Sequence, residues 1–245
     1  MENIKKVDLK MNKVTHINSI KDINFNNLKN TYNVYLENEL SQIEEDGINT
    51  NNVYFEIVYR KAIGIFNEIF DSKDHIRLIH SISTNYVTPR KSRFSEKFLS
   101  KQIASSYKYN QIIRDDDIFR IVNVFEYQCT KNDIKYRKLI KAICNQDFPN
   151  LVPNINQKET FSSIYFINVD KGILFYLYDD RGFIITFNNA EDFDIFKKNM
   201  LILKLRNTLN MKYSIISTLI FSDFISILTI IFCQRLRYRF SIKLI

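Results

Sequence analysis

A chain of 245 residues, 45% of them hydrophobic, is long enough to bury a core of its own. Its 25% of charged residues lies near the soluble average and excludes a chain disordered throughout. Four glycines in the whole sequence exclude the glycine-rich phosphate loops of nucleotide-binding enzymes, while the net charge of +8 and a pI near 9.2 permit an anionic partner.

In chain order, residues 1–50 are polar and rich in asparagine, a loose N-terminal region predicted to be partly helical over Asn33–Glu45. Met1 to Thr15 is charged throughout, so no secretory signal is expected there. From Tyr54 to Asp71 the apolar residues Phe55, Val58, Ala62, Ile65, Phe66 and Ile69 recur at steps of three and four, which predicts an amphipathic helix. His75 to Ser83 alternates, with Ile76, Leu78, His80 and Ile82 on one face of a strand. A basic turn over Thr88–Arg93, a short helix over Phe94–Ala104 and a long strand over Ile118–Cys129 follow. Lys131 to Gln146 has the strongest helical pattern. Asn132 or Thr130 can cap it, and Tyr136, Leu139, Ile140 and Ile143 line one face. Three β-rich runs, Ser163–Val169, Ile173–Tyr178 and Phe183–Phe187, are separated by Asp170-Lys171-Gly172 and Asp179-Asp180-Arg181-Gly182. Both separators are turn formers ending in glycine, so a three-stranded antiparallel meander is expected, with a helix starting at Glu191–Lys198.

The densest charge constellation is Asp179-Asp180-Arg181. Two adjacent carboxylates can hold a divalent cation beside an arginine that orients a phosphate. On a strand, however, neighbours point to opposite faces, and turn chemistry alone explains the word. Asp115-Asp116-Asp117 reads as a solvated loop. His16, His75 and His80 have no partner at metal-ligand spacing, and His75 and His80 fall on opposite faces of their strand. Cys129, Cys144 and Cys233 form no CxxC pair, which fits reduced thiols. Cys144 would close a helix C-terminus, where the dipole raises a thiol pKa. Lys135, Lys138 and Lys141 form a basic helix face, read first as a solvated face and otherwise as one suited to nucleic acid or an acidic protein. The other basic residues are dispersed, so nucleic acid is not expected. No convergent set of acid, base, nucleophile or metal ligands is expected, and no cofactor.

Three stretches together carry a resemblance. Cys129 to Phe148 ends in the word Ala142-Ile-Cys-Asn-Gln-Asp-Phe148, Tyr165-Phe-Ile-Asn-Val169 follows, and then Tyr178-Asp-Asp-Arg-Gly182. In order and spacing the chain resembles domain-of-unknown-function family 3885, found mainly in Bacillus and relatives, over most of residues 50–198. The resemblance implies an α+β fold in a bacterial cytoplasmic setting and carries over no ligand or catalytic residue. By analogy, small standalone bacterial domains of this build serve as immunity or adaptor proteins.

Beyond about residue 199 the chain departs from the family pattern, which continues with a polar segment. Tyr213 to Cys233 is a long apolar run, near the ~20 residues a membrane span needs, though Asp223 near its centre costs about 2.5–3.5 kcal/mol on insertion scales. Lys197-Lys198-Asn199-Met200 implies an A-rich codon run, and a one-base shift there restores a family-like continuation. Our hypothesis is a frame slip near Lys197 or Lys198, which sequencing of the gene through that run tests; an unbroken frame in independent isolates contradicts it.

The expected protein is therefore α+β: an antiparallel sheet that includes a C-terminal three-stranded meander, packed with amphipathic helices and followed by an apolar tail helix. Its expected regions are 1–50, 51–198 and 199–245. The expected function is a non-enzymatic protein-binding module of immunity or adaptor type with a cytoplasmic body. One alternative is a metal-dependent phosphoryl-transfer or nuclease-like enzyme using Asp179, Asp180 and Arg181, with Asp147 nearby. The other is a membrane protein anchored through Tyr213–Cys233.

Overall fold

The computed structural model of the chain describes residues 28–85, 93–113, 121–156 and 160–200. The apolar stripe beginning at Phe55 forms helix α1, Asn52–Ile69. Asn51 starts it, because its side chain accepts from the N–H groups of Val53 and Tyr54 and satisfies donors that the first turn leaves without partners. Phe55, Val58, Ala62 and Phe66 fall on one side and are buried.

Among the described residues seven strands make one sheet. They are β1 Thr31–Tyr35, β2 His75–Thr84, β3 Lys108–Ile113, β4 Ile121–Thr130, β5 Thr160–Asn168, β6 Ile173–Leu177 and β7 Gly182–Phe187. The spatial order is β1-β7-β6-β5-β2-β4-β3, and each neighbouring pair is antiparallel. The expected meander is β5-β6-β7. Gly172 turns its first corner at a φ of 64°, a conformation that costs glycine little.

Register sets the two faces. Leu78 lies opposite Tyr127 and Phe166, and Phe166 opposite Phe175, so these large side chains share one face. That face meets α1, with the Phe66 ring 5.1 Å from Phe166. Phe66 also stacks at 5.2 Å on Tyr136 of helix α4, Tyr136–Cys144. The opposite face carries a second buried cluster of Ile79, Val122, Val124, Tyr165, Ile167 and Leu174, with Leu28, Ile112 and Tyr176 packed against it.

Four expectations change. The span Asn33–Glu45 does not form the expected helix: Thr31–Tyr35 is edge strand β1, because Thr, Tyr and Val suit a pleated surface and β7 offers a free edge. Phe94–Ala104 is two helices, α2 Arg93–Phe98 and α3 Lys101–Ala104. They are broken where Leu99 bridges Ile134 and the Ser100 N–H donates to the Asp133 carbonyl. Lys131–Gln146 is likewise divided. Thr130 and Asp133 form a capping box on a 3-10 turn, Lys131–Asp133, and the chain extends through Ile134 before α4 begins. Strand β3 went unanticipated, since its Lys-Tyr-Asn-Gln start has no clean alternation.

The chain divides into two units, Met1–Phe193 and Asp194–Ile245. Residues 190–200 are helical, and Asn189 caps the start by accepting from the Asp192 N–H at 2.7 Å. No helix among the described residues is long and apolar enough to cross a membrane. The candidate span Tyr213–Cys233 lies outside them.

Candidate functional site

The word that closes α4 and the word that turns β6 into β7 meet in space. After Cys144 the chain leaves the helix, and each side chain that follows finds a fixed partner. Asn145 accepts from the Tyr59 hydroxyl at 2.5 Å and donates to the Pro153 carbonyl at 2.8 Å. Gln146 donates through Nε2 to the Tyr178 carbonyl. The Phe148 ring packs edge-on against Phe55 at 4.9 Å. Asp147 is left half-exposed, with its carboxylate 3.9 Å from the Arg181 guanidinium.

The β6–β7 turn supplies the other half. Asp179 Oδ1 accepts from the Arg181 backbone N–H at 2.7 Å, and Oδ2 accepts from both Nε and Nη2 of the Arg181 side chain. Asp180 Oδ2 accepts from Tyr54 at 2.8 Å and from Gln42 Nε2 at 2.5 Å. Gly182 is required here by close packing. A Cβ would stand 2.3 Å from the Val34 carbonyl and 2.4 Å from the Tyr178 hydroxyl, closer than any side chain permits.

Asp147, Asp179 and Asp180 thereby offer carboxylate oxygens that all lie within 4.8 Å of one another. The expectation that no carboxylates converge is corrected: the turn bends Asp179 and Asp180 together, and α4 delivers Asp147. Asp179 and Asp180 are only 2% and 0% exposed. Burial pushes the Asp180 carboxyl up, against the hydrogen bonds from Gln42 and Tyr54 and with the help of the Asp179 charge. Burial and the Asp179 charge also raise Asp147, opposed by Arg181. Gln42, Tyr54 and Gln146 are the site residues that spacing along the chain does not reveal, since Gln42 and Tyr54 lie 138 and 126 positions from Asp180.

Residues 18–200 match the family model described as Domain of unknown function (DUF3885). The chain belongs to this family. Among curated proteins, uncharacterised protein YnaE of Bacillus subtilis (strain 168) is 28% identical over 137 residues, 52% of this chain and 64% of that protein. The chain thus matches less than two thirds of the length of that relative. No solved structure matches.

The remaining candidates of this DUF3885 chain are distributed elsewhere. Cys144 is fully buried, and burial followed by the Asp180 and Asp179 charges pushes its thiol well up, which opposes a nucleophilic role. Cys129 is pushed up by burial to about 12. His75 is exposed and sits 3.1 Å from the Asp170 carboxylate. His80 lies on the α1 side of the sheet, 4.1 Å from the Phe94 ring, and burial pushes its imidazole down to about 3. Asp115-Asp116-Asp117 and His16 lie outside the described residues.

The basic face of DUF3885 helix α4 is uneven. Lys141 lies along the surface towards Glu56 at 3.6 Å, with its ammonium 4.6 Å from the centre of the Tyr59 ring. Lys135 and Lys138 are exposed. Lys97 of α2 is close enough to Lys138 that its ammonium is held below the usual lysine range, first by burial and then by the Lys138 charge. The Lys135 N–H also donates to the Phe98 carbonyl at 2.8 Å, which sets Lys135 beside the same helix end.

Proposed function

We propose that this DUF3885 protein works by binding an acidic protein partner, in the manner of an immunity or adaptor module, and not by catalysis. The observation that carries this reading is the exposure of Lys135 and Lys138 on one helix face, beside Lys97 of α2, whose ammonium donates to the Asn154 carbonyl at 3.2 Å. Lys135 stands at the same helix end, and among the described residues no carboxylate forms an ion pair with Lys135 or Lys138. Like charges held together are relieved by a complementary surface, which also speeds encounter. Three lysines on one helix junction suit a protein patch better than a duplex, whose binders neutralise several phosphates along a track. Lys141, the third residue of the expected face, pairs with Glu56 and the Tyr59 ring instead.

The alternative reading, metal-dependent phosphoryl transfer by Asp179, Asp180 and Arg181, has the convergence with Asp147 in its favour. Against it stands the closure of Asp179 and Asp180 from solvent, since a catalytic metal needs an open position for substrate.

Affinity capture from the native host tests the proposal. The wild-type chain is expected to retain one acidic protein stoichiometrically, with binding weakened by salt. Lys135→Glu with Lys138→Glu is expected to release it while the protein remains folded. A wild-type chain that stays monomeric and partnerless at physiological concentration and salt overturns the proposal, as does a charge-reversal variant that binds as well as wild type.

A further inference from the structure

Among the described residues, the junction of α4 with the β6–β7 turn leaves an excess of negative charge and two oxygen atoms without partners. Among the described residues three carboxylates converge, and the Arg181 guanidinium pairs with two of them, Asp147 and Asp179. Asp180 is fully enclosed, and while its Oδ2 has Tyr54 and Gln42, its Oδ1 has no hydrogen-bond partner among the described residues. Gln146, 8% exposed, donates Nε2 to the Tyr178 carbonyl. Only an N–H can approach that carbonyl, so the amide orientation is set, and Oε1 is left enclosed without a partner. Gln146 adjoins Asp147 in the chain and Asp179 through the Tyr178 carbonyl. An enclosed acceptor left bare is costly and rare in native proteins, and each one calls for an explanation.

We propose that Asp147, Asp179 and Asp180 bind one calcium-type divalent cation, with Gln146 Oε1 as a neutral oxygen at the border of the site. Every donor in this set is an oxygen, which selects a hard cation and not a thiolate- or imidazole-seeking one. Two ligands across one calcium ion, at about 2.3–2.6 Å each, stand up to about 5 Å apart, and the three carboxylate oxygens lie within 4.8 Å of one another. Magnesium keeps more of its own water than an enclosed set of protein oxygens admits. The enclosure of Asp179 and Asp180 makes the site structural. Bound there, the cation joins the end of α4 to the β6–β7 turn and, through the Asp180 partners Gln42 and Tyr54, to the β1–α1 connection and to α1. The site is separate from the basic surface proposed to bind a partner, so either proposal can fail without the other.

The test uses the full chain, treated with chelator and then titrated with calcium chloride, with magnesium chloride in parallel. Calorimetry is expected to show one saturable calcium site per chain, and the melting temperature is expected to rise with calcium. Asp147→Asn alters the half-exposed ligand and so spares folding. It is expected to weaken calcium binding at least about tenfold, the loss that even an outer-shell partner causes. Asp170→Asn, an exposed carboxylate elsewhere, is expected to leave calcium binding unchanged. A wild-type protein with no saturable response to millimolar calcium overturns the proposal, as does magnesium binding without calcium binding. An Asp147→Asn protein with wild-type affinity does so too.

Discussion

Two charged regions of this DUF3885 protein lie near α4 and treat their charges in opposite ways. At the helix end, Asp147, Asp179, Asp180 and Arg181 are drawn into a junction where the buried carboxylates are bonded to named donors from α1, from the β1–α1 connection and from their own turn. Near the helix start, Lys97, Lys135 and Lys138 form a surface without described acidic partners. Two of the words that carry the resemblance, Ala142–Phe148 and Tyr178–Gly182, both belong to the first region. A signature rich in aspartate and arginine can therefore record how a chain packs, while the surface offered to a partner is built from lysines that look ordinary in the sequence.

Breaking the junction is expected to have the largest effect. Arg181→Leu leaves the Asp179 carboxylate, which is 2% exposed, without its guanidinium. The expected loss is roughly 2–3 kcal/mol, short of the ~3–5 for a fully buried pair because the Arg181 side chain is itself largely in water. Urea unfolding measures it, and a loss below about 0.5 kcal/mol would place the Asp179–Arg181 pair among ordinary surface pairs.

Acid sharpens the comparison next. Burial holds the His80 imidazole at about 3, below the ~6.5 of an unfolded chain. The unfolded state takes up the proton first, so the associated stability is complete above about pH 6.5 and is lost as pH falls towards 3. From pH 7 to pH 5 the loss is about 2 kcal/mol. The carboxyls of Asp147 and Asp180 are raised in the fold, and the native state therefore gains on their account as pH falls through their folded values. Unfolding at both pH values, for wild type and His80→Leu, separates the terms. The variant is expected to lose less than wild type; an equal loss would clear His80 of the acid effect.

The smallest effect belongs to the basic surface. Lys135→Ser with Lys138→Ser is expected to change stability by no more than about 0.5 kcal/mol, as exposed substitutions generally do. A thermal melt checks this, and a larger loss would mean that these lysines help to hold the fold together.

Much of the architecture was legible along the chain. The three- and four-residue rhythm of α1, the alternation of β2 and the two glycine-ended turns of the meander are local signals, and each produced its element. Less legible were β1, whose five residues count as a strand only because β7 presents an edge, and the split of Phe94–Ala104, which follows from Leu99 bridging Ile134. Within the site, Asp179, Asp180 and Arg181 stood out by density. Tyr54 looked like one more aromatic residue of a helix and Gln42 like one more polar residue of a loop.

The sequence by itself determined which segments bury apolar surface and where the chain reverses, because periodicity and turn chemistry act over a few residues. Only the tertiary structure decided that Asp147 joins the turn aspartates, that Asp180 is closed from water, and that the end of α2 meets the start of α4. The physical reason is that side-chain chemistry depends on charge, distance and solvent access, and those are set by segments far apart in the chain.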